Sequence, residues 1–141
     1  MNGKLSWPIF WALVGVFVVI LCFFFIPGIP GFRGFLWLLI ISGSIFLLLG
    51  VALIVLTVRE KVEGKLKAFF LLTGASAAGF FVSFLLHNAV YALFIHFFGE
   101  GFWNGGDEPF FFIMAVFVCP LGFLVGAIGS IVLRVRSSSS R

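Results

Sequence analysis

FLWLLIISGSIFLLLGVALIVLTV, residues 35–58, runs without a charged side chain from end to end. An α-helix rises about 1.5 Å per residue and the hydrocarbon core of a bilayer is about 30 Å thick, so roughly 20 apolar residues span it. This stretch is long enough by itself, and the same rule finds three more charge-free runs, at 7–26, 68–98 and 110–133. The run at 7–26 is longer than the apolar part of a secretory signal, and no small-residue cleavage site follows it. It reads as an uncleaved first span.

Composition agrees with the four runs. The 141 residues have a mean hydropathy of +1.28, with 62% hydrophobic and 10% charged side chains. Soluble domains hold about half apolar and a quarter charged residues, so this balance excludes an ordinary soluble domain and points to the lipid bilayer as the surroundings. The formal net charge of +4 would suggest nucleic acid in a soluble chain. Here the basic residues flank the apolar runs, where membrane topology accounts for them and no nucleic-acid partner is needed. Cys22 and Cys119 each lie inside an apolar run and read as small buried hydrophobes.

The joints between the runs are short. PGIPGFRG, residues 27–34, holds two Pro-Gly pairs and reads as a tight turn. REKVEGKLK, residues 59–67, is a charged connector, and GEGFWNGGDEP, residues 99–109, is a Gly-rich acidic loop. The expected architecture is an all-α integral membrane protein: one four-transmembrane-helix bundle over residues 1–133, followed by a disordered cytoplasmic tail at 134–141.

Orientation follows from the basic residues, because short cytoplasmic loops hold the excess of Lys and Arg. With four alternating spans, Lys4, Arg59, Lys61, Lys65, Lys67, Arg134, Arg136 and Arg141 share one side, and Arg33 alone falls on the other. The expectation is a cell-membrane protein with both termini cytoplasmic and the acidic loop outside. Trp7 and Trp11 then suit the inner interface, Trp37 and Trp103 the outer.

Membrane helices associate through close backbone contact and interhelical hydrogen bonds, and small residues four apart are the readable sign. Ala75, Gly79 and Ser83 form one such series, and Gly122, Gly126 and Ser130 another. These stripes are expected to mark contact faces, with each other or with another copy. Pro120 removes a backbone donor and crowds the carbonyl of Val116, so a kink in the fourth span is expected.

Polar chemistry gathers near the end of the third span. Steps of four from Ser83 reach His87 and Tyr91, with Asn88 beside them. About 20 residues of helix from Ala68 bring His87 and Asn88 to the outer boundary, where they reach water more easily than at the midplane. His87 is read first as hydrogen-bonding a neighbour, through Ser83 or Tyr91, Asn88 as interhelical glue, and Tyr91 as an interfacial anchor. A ligand contact or a polar pathway through Ser83, His87, Asn88 and Tyr91 is the alternative. His96 and Glu100, four apart, could share a divalent metal with Asp107 or Glu108, although a solvated loop edge explains them more simply. Nine positions separate His87 from His96, half a turn out of phase, so one straight helix cannot aim both at a single haem iron. Asp107 and Glu108 before Pro109 read as a helix-start device, with Arg33 expected nearby.

No nucleophile beside a base, phosphate loop or paired intramembrane carboxylates appear, so the sequence leans away from an enzyme and calls for no cofactor. Spans without charge also argue against a proton-coupled carrier. The leading expectation is a protein acting by helix association, as an accessory subunit of a larger membrane complex or as a homo-oligomer. A transporter or channel component is the second, and a membrane enzyme or metal site the third.

Overall fold

The structure, a computed structural model, describes residues 3–25 and 32–139, with the side chains of all of these except 24, 25 and 32–36. Helix α1 covers Ser6–Phe25, α2 Phe32–Arg59, α3 Gly64–Phe98 and α4 Pro109–Ser139. Each is long and apolar enough to cross a membrane. The turn expected over residues 27–34 lies largely outside the described residues, and so does the side chain of Arg33. Helix α4 continues through Arg134 and Arg136 to Ser139, where the sequence alone reads an unstructured tail.

Large aliphatic side chains cover the outside of the helices, among them Leu48, Val55, Leu121 and Ile128. In water such a surface would drive aggregation; in lipid it costs nothing. The inside is narrower and follows a different period. Phe10, Leu13, Phe17 and Ile20 are buried on α1, and Gly43, Phe46, Gly50, Leu53 and Thr57 on α2. On α4 the series is Cys119, Phe123, Gly126 and Ser130. Steps alternating three and four make a seven-residue repeat, the pattern of helices packed side by side at a shallow angle.

Helix α3 is the centre of the packing, with α2 on one flank and α4 on another, while α1 lies against α2. Both flanks rest on glycine. A Cβ on Gly50 would sit 2.7 Å from the Gly74 carbonyl oxygen, and one on Gly74 would sit 2.8 Å from the Gly50 carbonyl oxygen. On the α4 flank, a Cβ on Gly126 would meet the Thr73 hydroxyl and come within 2.8 Å of the Thr73 nitrogen and 2.9 Å of the Phe69 oxygen. Backbones therefore touch directly, and any side chain at these positions would force the helices apart. Phenylalanines fill the space left over: Phe17 stacks on Phe123 at 4.5 Å, and Phe46 lies 5.2 Å from the same ring. Trp7 and Phe10 of α1 both pack against Phe70 of α3.

Three of the hydroxyls buried in this core make no demand on neighbouring helices. Thr57 donates to the Leu53 carbonyl, Thr73 to Phe69 and Ser130 to Gly126, each one turn back along its own helix. Ahead of Pro120 the helix widens into a π-helical turn over Met114–Val118, and the Cys119 N–H donates to Met114 O, five residues back. The expected disturbance at this proline thus takes the form of a local widening, which accommodates the missing donor. Cys119 is buried as expected, whereas Cys22 is exposed on the surface of α1. Its position on the helix, away from the Leu13, Phe17 and Ile20 face, decides this.

The connector between α2 and α3 closes the same end of the bundle as the start of α1 and the last described turns of α4. Lys61 takes φ 49°, its N–H donates to Val58 O, and the N–H of Val62 donates to Thr57 O. Together with the burial of Val62, these bonds form a Schellman stop, with lysine in the left-handed position that glycine usually holds. Glu60 then reaches the start of α1. Its carboxylate accepts from the Leu5 N–H at 2.8 Å, the Ser6 N–H at 3.0 Å and the Ser6 hydroxyl at 2.5 Å. Partial burial pushes this carboxyl up, but the bonds from the Ser6 hydroxyl and the two N–H groups together outweigh it and hold Glu60 below the ordinary glutamate range. Arg134 completes the closure, its guanidinium lying 4.3 Å from the centre of the Trp7 ring.

Two predictions follow from this packing. Gly50→Ala and Gly126→Ala should each lower stability in detergent by about 1–3 kcal/mol through overpacking. Gly15→Ala, where a Cβ meets nothing within 4 Å, should be neutral or gain up to about 1 kcal/mol of helix propensity. Glu60→Gln should lower the thermal midpoint at neutral pH. Because the folded Glu60 is the stronger acid, its contribution is complete above the ordinary glutamate value of about 4.3. It is lost as pH falls through the lower folded value, so wild type and Glu60→Gln should converge in acid.

Candidate functional site

At the end of the bundle away from the termini, α3 outlasts its neighbours. Its 35 residues extend about 50 Å, against roughly 30 Å for a bilayer core, so its last turns carry side chains beyond any such core or require a tilt. Gly99 stops it with φ 84°, its N–H donating to Ile95 O. Three tight turns follow, closed by the N–H groups of Phe102, Asn104 and Gly106 on the carbonyls of Gly99, Gly101 and Trp103. They fold the loop back against the helix it has just left.

His87 is held where that loop returns. Its Nδ1 lies 3.1 Å from the Glu108 backbone oxygen and 3.3 Å from the Glu108 carboxylate, and its Nε2 lies 3.3 Å from Asp107 Oδ2. The imidazole side chain is 14% exposed and that of Glu108 5%, while Asp107 stands 58% open to solvent. The Phe112 ring, 5.6 Å away, covers one side of the imidazole. Both ring nitrogens therefore face oxygen acceptors, and only the doubly protonated ring can donate to each.

Glu108 has a second task. It is the N-cap of α4, and its two oxygens accept from the N–H groups of Phe110 and Phe111 at 2.8–3.2 Å. Pro109 follows at the first helical position, where no donor is needed. The Glu108 N–H is in turn taken by the Asp107 carboxylate at 2.8 Å. The helix-start reading of the two acids is what the bonds display, and the cap also serves as the partner of His87. In place of Ser83 or Tyr91, the histidine meets the two carboxylates.

The remaining polar positions go separate ways. Ser83 is buried on the side of α3 that faces the Cys119 thiol of α4. Asn88 is exposed and donates to the Phe84 carbonyl on its own helix at 2.8 Å, so it joins no second helix. Tyr91 stacks on Trp103 at 6.1 Å, and Phe94 and Phe102 build an aromatic cap around the same indole. The Trp103 Nε1–H is buried with no acceptor among the described residues. His96 is exposed, its ring edge against Phe97, and Glu100 lies past the Gly99 stop, so no shared helical face joins the two. Among the described residues no group of three or more His, Cys, Asp and Glu side chains is arranged to hold a metal ion.

The small-residue positions also divide. Gly122, Gly126 and Ser130 line the face of α4 that meets Ser76, Thr73 and Phe69 of α3. Gly79 approaches the Cys119 sulfur, and Ala75 is exposed on the outside. Sequence reasoning missed Glu60, the Trp7–Arg134 pair and the Gly43 and Gly50 contacts. The seven-residue spacing of the two glycines was a visible signal; the others join residues more than 50 positions apart and carry no local one.

Comparison with known protein families, with curated proteins and with solved structures yields no match.

Removing the cap tests the geometry. Glu108→Ala should cost about 1–2 kcal/mol, since two helix N–H groups lose their acceptor, and Glu108→Gln should cost less because an amide oxygen still caps. Asp107→Ala, at an exposed carboxylate, should stay below about 1 kcal/mol. Thermal unfolding of the three variants in one detergent checks the order.

Proposed function

We propose that this chain is a small four-span protein of the cell membrane, both termini cytoplasmic, that acts by association as an accessory subunit or as a self-assembling bundle. The observation that carries the reading is where its polar groups are spent. Ser83 is buried toward Cys119, His87 bonds the start of α4, Asn88 bonds its own helix and Tyr91 covers Trp103. None of these bonds leaves a polar row along the bundle axis, which Phe17, Phe46 and Phe123 fill. A passage for a solute inside one copy would have to displace those rings, so the transport reading requires several copies around a shared pathway.

What remains for function is the outer surface. Lipid-facing α1 presents Ala12 and Gly15, and α3 presents Ala75, small residues against which another membrane helix can approach closely. What supports the orientation is that Lys4, Arg59, Lys61, Lys65, Lys67, Arg134 and Arg136 flank the apolar runs on one side when four spans alternate.

Native mass spectrometry of protein carried directly from its membrane into lipid nanodiscs tests the reading. The expected masses are multiples of 15.5 kDa, or one copy with a constant second subunit. Single copies throughout would overturn it. Replacing Gly15 and Ala75 by Leu should shift the distribution toward single copies while helix content stays the same.

A further inference from the structure

A cavity of about 570 Å³ opens between the start of α1 and the last turns of α4. Lys4, Trp7, Trp11, Arg134, Ser137 and Ser138 contribute to its wall. Two cations, two indoles and two hydroxyl side chains thus face one concavity at the end of the bundle. Neither Lys4 nor Arg134 has a carboxylate within ion-pair distance among the described residues. Glu60, which reaches the same segment of chain, does not line the cavity and spends its oxygens on Leu5 and Ser6. The positive end of the α1 dipole and the negative end of the α4 dipole meet here and offset each other. One carboxylate, Glu60, stands beside Gly3 of the wall, but its oxygens are taken by Leu5 and Ser6, and the two side-chain cations outnumber it and set the sign of the cavity.

We infer that this cavity binds a phosphate-bearing anion, supplied by the headgroup of an anionic membrane lipid. Resting on the membrane reading above, the inference adds a ligand to it. Tryptophans i and i+4 on α1 sit at the depth where aromatic side chains meet the headgroup layer, and the cations lie beside them. Arg134 is already fixed by its contact with Trp7, so less freedom is lost when its outward N–H groups engage a phosphate. The volume exceeds what a bare phosphate occupies and leaves room for the glycerol that a lipid carries, within the usual range of small-ligand sites. A basic recess between membrane helices is a recognised form of headgroup site.

The test uses delipidated full-length protein in a mild detergent, titrated separately with phosphatidylglycerol, phosphatidylcholine and soluble glycerol 3-phosphate, with adducts read by native mass spectrometry. Phosphatidylglycerol should be retained in clear preference to the other two. Lys4→Gln and Arg134→Gln should each weaken it about fivefold, the equivalent of ~1 kcal/mol per cation. Lys65→Gln with Lys67→Gln, at the same end and outside the cavity, should leave retention unchanged. Equal loss in that control would show general attraction and overturn the site, as would equal retention of phosphatidylcholine. Glycerol 3-phosphate bound as tightly as the lipid would overturn the lipid source and leave a soluble phosphate in its place. Because Arg134→Gln also removes the contact with Trp7, the exposed Lys4→Gln keeps the test independent of folding. Insertion is checked on the same samples by reconstitution: failure to enter liposomes would sink the membrane reading, whereas insertion without lipid preference would sink this inference alone.

Discussion

Direct contact of backbone with backbone at α3 is the constraint on which the rest of this structure depends. In the proposed membrane setting, lipid gives apolar side chains little reason to leave it for a protein interior, so helices would gain from contact itself. Dispersion falls off steeply with distance, and a gap of half an ångström already forfeits much of it. Gly50 against Gly74 and Gly126 against Thr73 bring α2 and α4 as near to α3 as main chains allow. The phenylalanines of α1, α2 and α4 then have a space of fixed width to fill, and Phe17, Phe46 and Phe123 fill it.

A second constraint acts at the helix ends, where backbone donors have no partner within the helix. Two glutamates from connecting segments answer it at opposite ends. Glu60 takes the N–H groups that begin α1, and Glu108 those that begin α4. Neither carboxylate acts alone, since Glu60 also binds the Ser6 hydroxyl and Glu108 also holds His87. Each end is thereby fastened to an element distant in the chain. Inside the helices, the Ser42, Ser44, Thr57, Thr73 and Ser130 hydroxyls return to carbonyls of their own helix, so these groups tie no two helices together and the core relies on fit.

Much of the architecture was legible because it depends on length and charge alone. The four helices are those expected from uninterrupted apolar runs, and the Pro109 start and Gly99 stop follow from backbone chemistry that the residue types dictate. The site was less legible. Steps of four along α3 place Ser83, His87 and Tyr91 roughly on one face, but they are silent on which loop folds over it. Asn88 met its own Phe84 carbonyl because a short amide reaches one turn back more easily than across to another helix. Cys22 turned outward because hydropathy alone does not separate a lipid-facing position from a buried one. The helical path to Ser139 includes Arg134, which rests on Trp7, a contact between residues far apart in sequence that no local pattern announces.

Among the described residues, the polar bonds between separate elements lie near the two ends of the bundle. The seating of α4 on α3 is the central claim, and one disulfide tests it. A Cβ at residue 122 would lie 3.7 Å from the Ser76 Cβ, within the roughly 3.5–4.5 Å that a disulfide requires. With Cys22 and Cys119 replaced by Ala, the pair Ser76→Cys and Gly122→Cys should close within one chain under mild oxidation in membranes, protecting both thiols from maleimide. The pair Ala75→Cys and Gly122→Cys should stay open. Closure of the second pair with the first left reactive would place a different face of α3 against α4 and contradict the packing described here.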